Sequence, residues 1–395
     1  MRVRADLPWR ADLVIVGGGV VGAATAFHAS RAGLRPLLIE ARPALCTLTT
    51  PRATGAFRLQ FDNREEMELV RESVDLFLNF REATGQDRYD LGVRRQGYLW
   101  LTTQEDRAAR QRRMVEQQHG WGLTDVELLT GVQVHERFPY VGSNVVQGRF
   151  RAGDGFLDTV SLTLGLAHAS NAEVVLDTPV TEFRVDRGKL RAVVSRNTAV
   201  ATSRAVVACG PLSGIVAGVA GVDLPFRTPR RQKLVMPVVP EVPQDAPMTI
   251  DEDTGTHWRP ALHGAWLLCT DAETLPSPPS WNVPADREFG IRLLDPSSPA
   301  AAARIVPFWR EVWGRGESNW YVEAGQYAMT PDHRPLIGPT RIEGLYVNSG
   351  YSGHGIMAGP AGSRILVDVL TGRLRPEDNP FRLDREFVQR ELDTL

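Results

Sequence analysis

Gly17, Gly19 and Gly22 are spaced as GxGxxG, and Glu40 lies on the order of 20 residues further on. That set of residues suits a dinucleotide. The first glycine permits a tight turn, the second lets backbone approach a pyrophosphate, and the third allows a helix to pack closely on a strand. An acid at the position of Glu40 can accept hydrogen bonds from a ribose. A second glycine-rich turn, Gly350-Tyr351-Ser352-Gly353-His354-Gly355, precedes an apolar stretch from Ile356 to Leu370. A helix starting there offers unpaired N–H groups and the positive end of its dipole to an anion. None of the eight histidines forms an HxxxH or similar metal pattern.

These residues need elements to hold them. The β-branched run Leu13 to Val16 reads as a buried parallel strand, followed by a helix from about Val20 to Ala32 that Gly33 stops, and a second strand from Arg35 to Ile39. The turn-rich segment Thr47 to Arg58 carries small residues and hydroxyls suited to lie against a cofactor. Asn63 caps a helix with Glu66 three residues on, and Met67, Val70, Val74, Phe77 and Phe80 follow at helical spacing. Val93 to Thr102 reads as a strand, Thr103 to Gly120 as an Arg-rich helix, and Asp154 to Asp158 leads into a helix reaching about Ser170. Strand-like runs follow at Glu173 to Leu176, Val180 to Val185, Leu190 to Ser195 and Ala205 to Gly210. Between Phe226 and Thr270, the strands RRQKLVMPV and HGAWLLCT flank a loop carrying Asp251, Asp253 and Trp258-Arg259-Pro260. Thr274 to Pro284, rich in Pro and Ser, reads as an exposed loop. The expected fold is α/β (α+β overall). A Rossmann-like doubly wound domain is formed by residues 1–90, 150–225 and 325–395, and a second, mainly antiparallel-sheet substrate domain by 91–149 and 226–324.

Composition narrows the partners. With 395 residues, 43% hydrophobic content, 23% charged residues and a net charge of −2, the chain reads as an ordinary globular protein with no electrostatic case for nucleic acid or an anionic membrane. Lys189 and Lys233 are its only lysines. Cys46, Cys209 and Cys269 are far apart and form no CxxC, which fits a reducing cytoplasm and gives no zinc site. No stretch approaches the roughly 20 apolar residues of a membrane span.

The GGGVVG turn with Glu40, the Ala208-Cys209-Gly210-Pro211 strand end, the segment Thr330 to Gly338 and the turn at Gly350 to Gly355 resemble, in this order, the FAD-dependent D-amino-acid oxidase superfamily. The branch most similar contains sarcosine oxidase, dimethylglycine dehydrogenase, glycine oxidase and bacterial L-proline dehydrogenase. The resemblance places Gly17, Gly19, Val20, Val21 and Gly22 at the pyrophosphate. Glu40, with Ala41 and Arg42, falls at the adenosine ribose, and Val180 at the adenine side. Gly210 and Met357 are implied as further cofactor contacts; Thr49, Thr50 and the segment to Gly55 border the isoalloxazine, and Gly353, His354, Gly355 and Ile356 face its N1/O2 edge. A helix N-terminus there stabilises the negative charge that hydride arrival at N5 leaves behind.

Arg58 matches an arginine that holds the substrate carboxylate in sarcosine oxidases, and a planar fork suits that task. Arg259 is a second candidate. Monomeric sarcosine oxidases attach FAD through a cysteine where this chain has Gly325, which implies non-covalent FAD here. Met357 stands where they carry a carboxylate-binding lysine. Their oxygen-activating lysine is replaced near Trp266, with Lys233 a candidate substitute. The reading implied is oxidation of a small, N-methyl type amino acid, with O2 or an electron carrier accepting the electrons. A dehydrogenase of proline, dimethylglycine or a D-amino acid, and a non-catalytic flavin-binding assembly protein, are the alternatives.

Overall fold

The computed structural model describes residues 1–270, 274–316 and 319–388. Leu13–Val16, the helix Val20–Arg31 and Pro36–Ile39 form a parallel strand-helix-strand start to a seven-stranded sheet. The strands run, across the sheet, Arg2–Arg4, Glu173–Val175, Pro36–Ile39, Leu13–Val16, Ala205–Val207, Leu345–Ser349 and Leu336–Pro339, and only the last is antiparallel to its neighbour. The central strands are buried on both faces, as their uninterrupted Val, Ile and Leu content requires.

The eight-stranded sheet of the other wall is antiparallel except where Met248–Asp251 runs alongside Tyr98–Thr102. Its order is Tyr321–Gln326, Arg230–Met236, Gly264–Cys269, Thr256–Ala261, Met248–Asp251, Tyr98–Thr102, Gln147–Arg151 and Glu127–Thr130. The segment expected as a loop around Asp251 and Trp258 is therefore two strands. Trp258 is 1% exposed there and packs edge-to-face on Tyr140, Phe308 and Trp309, which outweighs the punctuation of Asp253, Gly255 and Pro260. Val180–Asp186, Lys189–Ser195 and Thr198–Ala201 make a separate three-stranded meander.

Parallel strands place the starts of their following helices at one sheet edge. Val20–Arg31 and the C-terminal helix Gly355–Leu370 therefore begin side by side, and they pack along their lengths. Between them, Asn348 Nδ2 donates to Thr25 Oγ1 at 3.2 Å and Ser363 Oγ at 3.0 Å, and Tyr351 OH donates to Asn348 Oδ1 at 2.6 Å. The Asn63 cap forms as expected, its Oδ1 accepting from Glu66 N at 2.8 Å at the start of the helix Arg64–Leu78. Among the described residues, no helix is long and apolar enough to cross a membrane.

Gly17 has φ +111°, and a Cβ on it would lie 2.5 Å from the Ala208 carbonyl oxygen; a Cβ on Gly22 would lie 1.8 Å from the Gly17 oxygen. Both contacts are to backbone, so neither yields cheaply. Gly22→Ala is expected to push the first helix off its strand, giving a protein with lowered melting temperature that purifies without flavin absorbance.

Candidate active site

A cleft runs between the two sheets. Val20, Val21, Thr49, Thr50, Gly55, Gly210 and Gly353 to Met357 all line it, as do Arg58 and Lys233. Gly17, Gly19, Gly22, Glu40, Ala41, Arg42 and Val180 lie outside this lining, toward the end where Glu40 meets the first glycine turn. Glu40 Oε2 accepts from Gly18 N at 2.6 Å, and Oε1 accepts from Arg42 N at 2.9 Å. Burial pushes this carboxyl above its ordinary range, and the two N–H groups pull it back. Thr50 Oγ1 accepts from Val20 N at 3.3 Å, standing at the helix start where a phosphate oxygen would be received. Val180 opens the first strand of the meander; just before it, Thr178 N donates to Glu40 O at 2.9 Å and so ties this segment to the acid.

The carboxylate candidates separate. Arg58 is 4% exposed, donates from Nη1 to Gln60 O at 2.8 Å, and lies over the Phe61 ring at 4.4 Å and the Trp100 ring at 5.4 Å. Its Nη2 is 3.4 Å from His354 Nε2, while His354 Nδ1 is 3.3 Å from Glu66 Oε1. A guanidinium only donates, so Nε2 must accept and the imidazole carries its proton on Nδ1, directed at Glu66. Glu66, read from the sequence only as part of a helix cap, thus also orients the histidine. Its position three residues after Asn63 signalled the cap; nothing local signalled a partner 288 residues away.

Arg259 is not among the residues lining the cleft: Nε donates to Thr54 O at 2.9 Å, Nη1 donates to Pro260 O at 2.8 Å, and the guanidinium lies 4.3 Å from the Phe156 ring and 4.1 Å from the Trp266 ring. These bonds brace the segment beside Gly55. Lys233 is 3% exposed, pairs with Glu323 at 2.8 Å across the strands, and stands 4.0 Å over the Trp266 ring. Burial lowers its ammonium below the usual range, opposed by Glu323.

Several lining residues escaped the sequence reading, among them Tyr98, Arg231 and His257. Fully buried Asp154 also escaped: it accepts from Leu59 N at 2.9 Å, Gln60 Nε2 at 3.0 Å and Arg151 Nη1 at 2.5 Å, fixing the segment after Arg58 to the second wall. The Thr274 to Pro284 loop is anchored by Gln326, whose Nε2 donates to Ser277 Oγ at 2.8 Å and whose Oε1 accepts from Ser280 N at 2.8 Å. Leu275 is 81% exposed on it.

Residues 12–369 match the family described as DAO, FAD dependent oxidoreductase, and the chain belongs to it. The family is FAD-dependent, and the glycine cradle, Glu40 and the paired helix starts fit that cofactor. Rat mitochondrial dimethylglycine dehydrogenase is 25% identical over 382 residues, covering 92% of this chain but 43% of the rat protein. The chain thus spans less than half the length of that relative. Among solved structures, L-proline dehydrogenase from P. horikoshii superposes with TM-score 0.81 at 22% identity, covering 96% of each chain. Glycine oxidase from Geobacillus kaustophilus superposes with TM-score 0.80 at 22% identity, covering 96% of this chain and 100% of the other.

Glu40→Ala is expected to weaken FAD binding by about tenfold or more, read by fluorescence titration of the apoprotein, because two backbone donors at the first glycine turn lose their acceptor. The cleft also makes a pH prediction. His257 donates from Nδ1 to Gly255 O at 2.9 Å, and burial, with Arg231 and Arg58 nearby, pulls its pKa from 6.5 to about 4. Burial likewise takes His28 to about 4. The unfolded chain takes up these protons first, so stability falls as pH drops from 6.5 toward 4, at about 1.4 kcal/mol per pH unit for each histidine. The expected melting temperature falls across this window, and less steeply in His257→Gln.

Proposed function

We propose that the chain oxidises the C–N bond of a small, N-substituted amino acid in the manner of a sarcosine oxidase, with O2 accepting the electrons and leaving as H2O2. The observation that carries the reading is Arg58, a buried guanidinium facing the cleft and held in orientation by Gln60 O and the His354–Glu66 pair. A planar donor fixed in this way suits a carboxylate. FAD, held non-covalently because Gly325 offers no side chain for attachment, supplies the two-electron acceptor.

The amine binds deprotonated. Hydride leaves the carbon beside nitrogen, the nitrogen lone pair closes the C=N bond, and water hydrolyses the resulting iminium to a carbonyl compound and an amine. No strong base is needed. The start of the Gly355–Leu370 helix supports the charge that reduction leaves at the cleft.

Lys233 supports O2 as acceptor, since its ammonium lies over Trp266, the position where related oxidases carry their lysine. Its ion pair with Glu323 favours the second reading, a dehydrogenase of proline, dimethylglycine or a D-amino acid passing electrons to a carrier. Anaerobic absorbance titration with sarcosine, proline and D-alanine, followed by air, decides. Bleaching by sarcosine with rapid recovery and peroxide is expected; bleaching that persists in air assigns the dehydrogenase. Failure of any amino acid to bleach a flavin-loaded protein overturns both. Arg58→Ala is expected to retain flavin and raise KM by about 10- to 100-fold.

A further inference from the structure

His257 lines the cleft from the strand Thr256–Ala261, in register with Ile250 on one side and Leu268 on the other, and Ile250 in turn pairs with Trp100. Partners in such a row project on one face, so His257 stands in an apolar stretch of the second wall. Its Nδ1 bonds to Gly255 O at 2.9 Å. A carbonyl only accepts, so the proton is on Nδ1 and Nε2 carries a lone pair. That nitrogen has no hydrogen-bond partner among the described residues. Burial, with Arg231 and Arg58 nearby, lowers the imidazole pKa to about 4, so Nε2 remains an acceptor at neutral pH.

Its place along the sheet is at the Arg58 end of the cleft. Gly325, beside the flavin, is three strands away from His257, roughly 14 Å at the usual strand spacing. Trp100 is two strands away in the other direction, roughly 10 Å, and the Arg58 guanidinium lies over its ring at 5.4 Å. An α-amino acid with its carboxylate on Arg58 and its nitrogen on Nε2, each through a hydrogen bond of about 2.8 to 3.0 Å, bridges a span of that order.

We infer that His257 selects the substrate's nitrogen: Nε2 accepts the N–H of a bound secondary amine, while Ile250 and Leu268 receive its N-alkyl group. This rests on the amino-acid reading of the cleft. A tertiary amine, neutral as the oxidation requires, has no N–H to offer, and its second alkyl group is pressed against an acceptor cut off from water. The contact also strengthens during oxidation. As the C=N bond forms, the nitrogen becomes positive and its hydrogen a stronger donor, so the discrimination falls on the rate of oxidation as well as on binding.

Two flat carboxylates that cannot lose hydride isolate this contact. Pyrrole-2-carboxylate carries an N–H where furan-2-carboxylate carries a ring oxygen, and the two are otherwise alike in shape. Calorimetry on the FAD-loaded protein is expected to show the pyrrole binding about 10- to 100-fold tighter. In His257→Phe that ratio is expected to fall toward one with flavin content unchanged, and His257→Leu repeats the comparison with a smaller apolar side chain. Sarcosine is expected to bleach the flavin at least about tenfold faster than N,N-dimethylglycine, a preference that both variants lose. A pyrrole-to-furan ratio near one in the unmodified protein overturns the inference, as does a ratio that survives in the variants or equally rapid bleaching by the two amines. If the ratio is near one while an amino acid still bleaches the flavin, only the role of His257 falls. If neither carboxylate binds and no amino acid bleaches, the amino-acid reading falls with it.

Discussion

Everything at the cleft depends on two helix starts being held together in the interior. Val20–Arg31 and Gly355–Leu370 would each leave unpaired N–H groups at their first turns, and both turns open onto the same cavity. Packing alone does not fix their rotation. Thr25, Ser363, Asn348 and Tyr351 do, because each is buried and each satisfies another's hydrogen-bonding capacity. A turned helix would strand those groups without water, so the network selects one arrangement. The separation of the two helix starts is thereby set by the protein itself.

A second economy governs charge. Arg58, Glu66, Asp154 and Arg151 are all buried, and each is placed so that its nearest polar neighbours compensate its loss of water. Asp154 is the joint: it receives the backbone of Leu59 from one wall and the guanidinium of Arg151 from the other. Removing one partner of such a set costs more than the set contributes, because the survivor is left buried and unpaired. The arginine fork at the cleft is rigid for that reason.

Local signals carried much of this into the sequence. The run from Leu13 to Glu40, the Asn63 cap and the glycine turn before Gly355 are legible because each is decided within a few residues. Where tertiary contacts decide, the sequence is silent or misleading. Gln147–Arg151 carries two arginines in five residues and no local mark of a core strand, yet Arg149 is 1% exposed and lies 4.9 Å from the Trp100 ring. Arg259 has the residue type and setting of a ligand-binding arginine, but it faces Trp266, its strand partner, and is spent on carbonyls.

The strand order has a consequence for how the protein comes into being. Gly17 rests against Ala208, and Ala205–Val207 lies between Leu13–Val16 and Leu345–Ser349. The glycine turn leaves the ribosome early, but the neighbours that shape it are made far later. Synthesis is vectorial, and pairings between distant segments must wait for the second segment. The sheet around the glycine turn therefore stays incomplete until Ala205–Val207 and Leu345–Ser349 have been made. Until then the exposed edge of Leu13–Val16 is open to pairing with other chains.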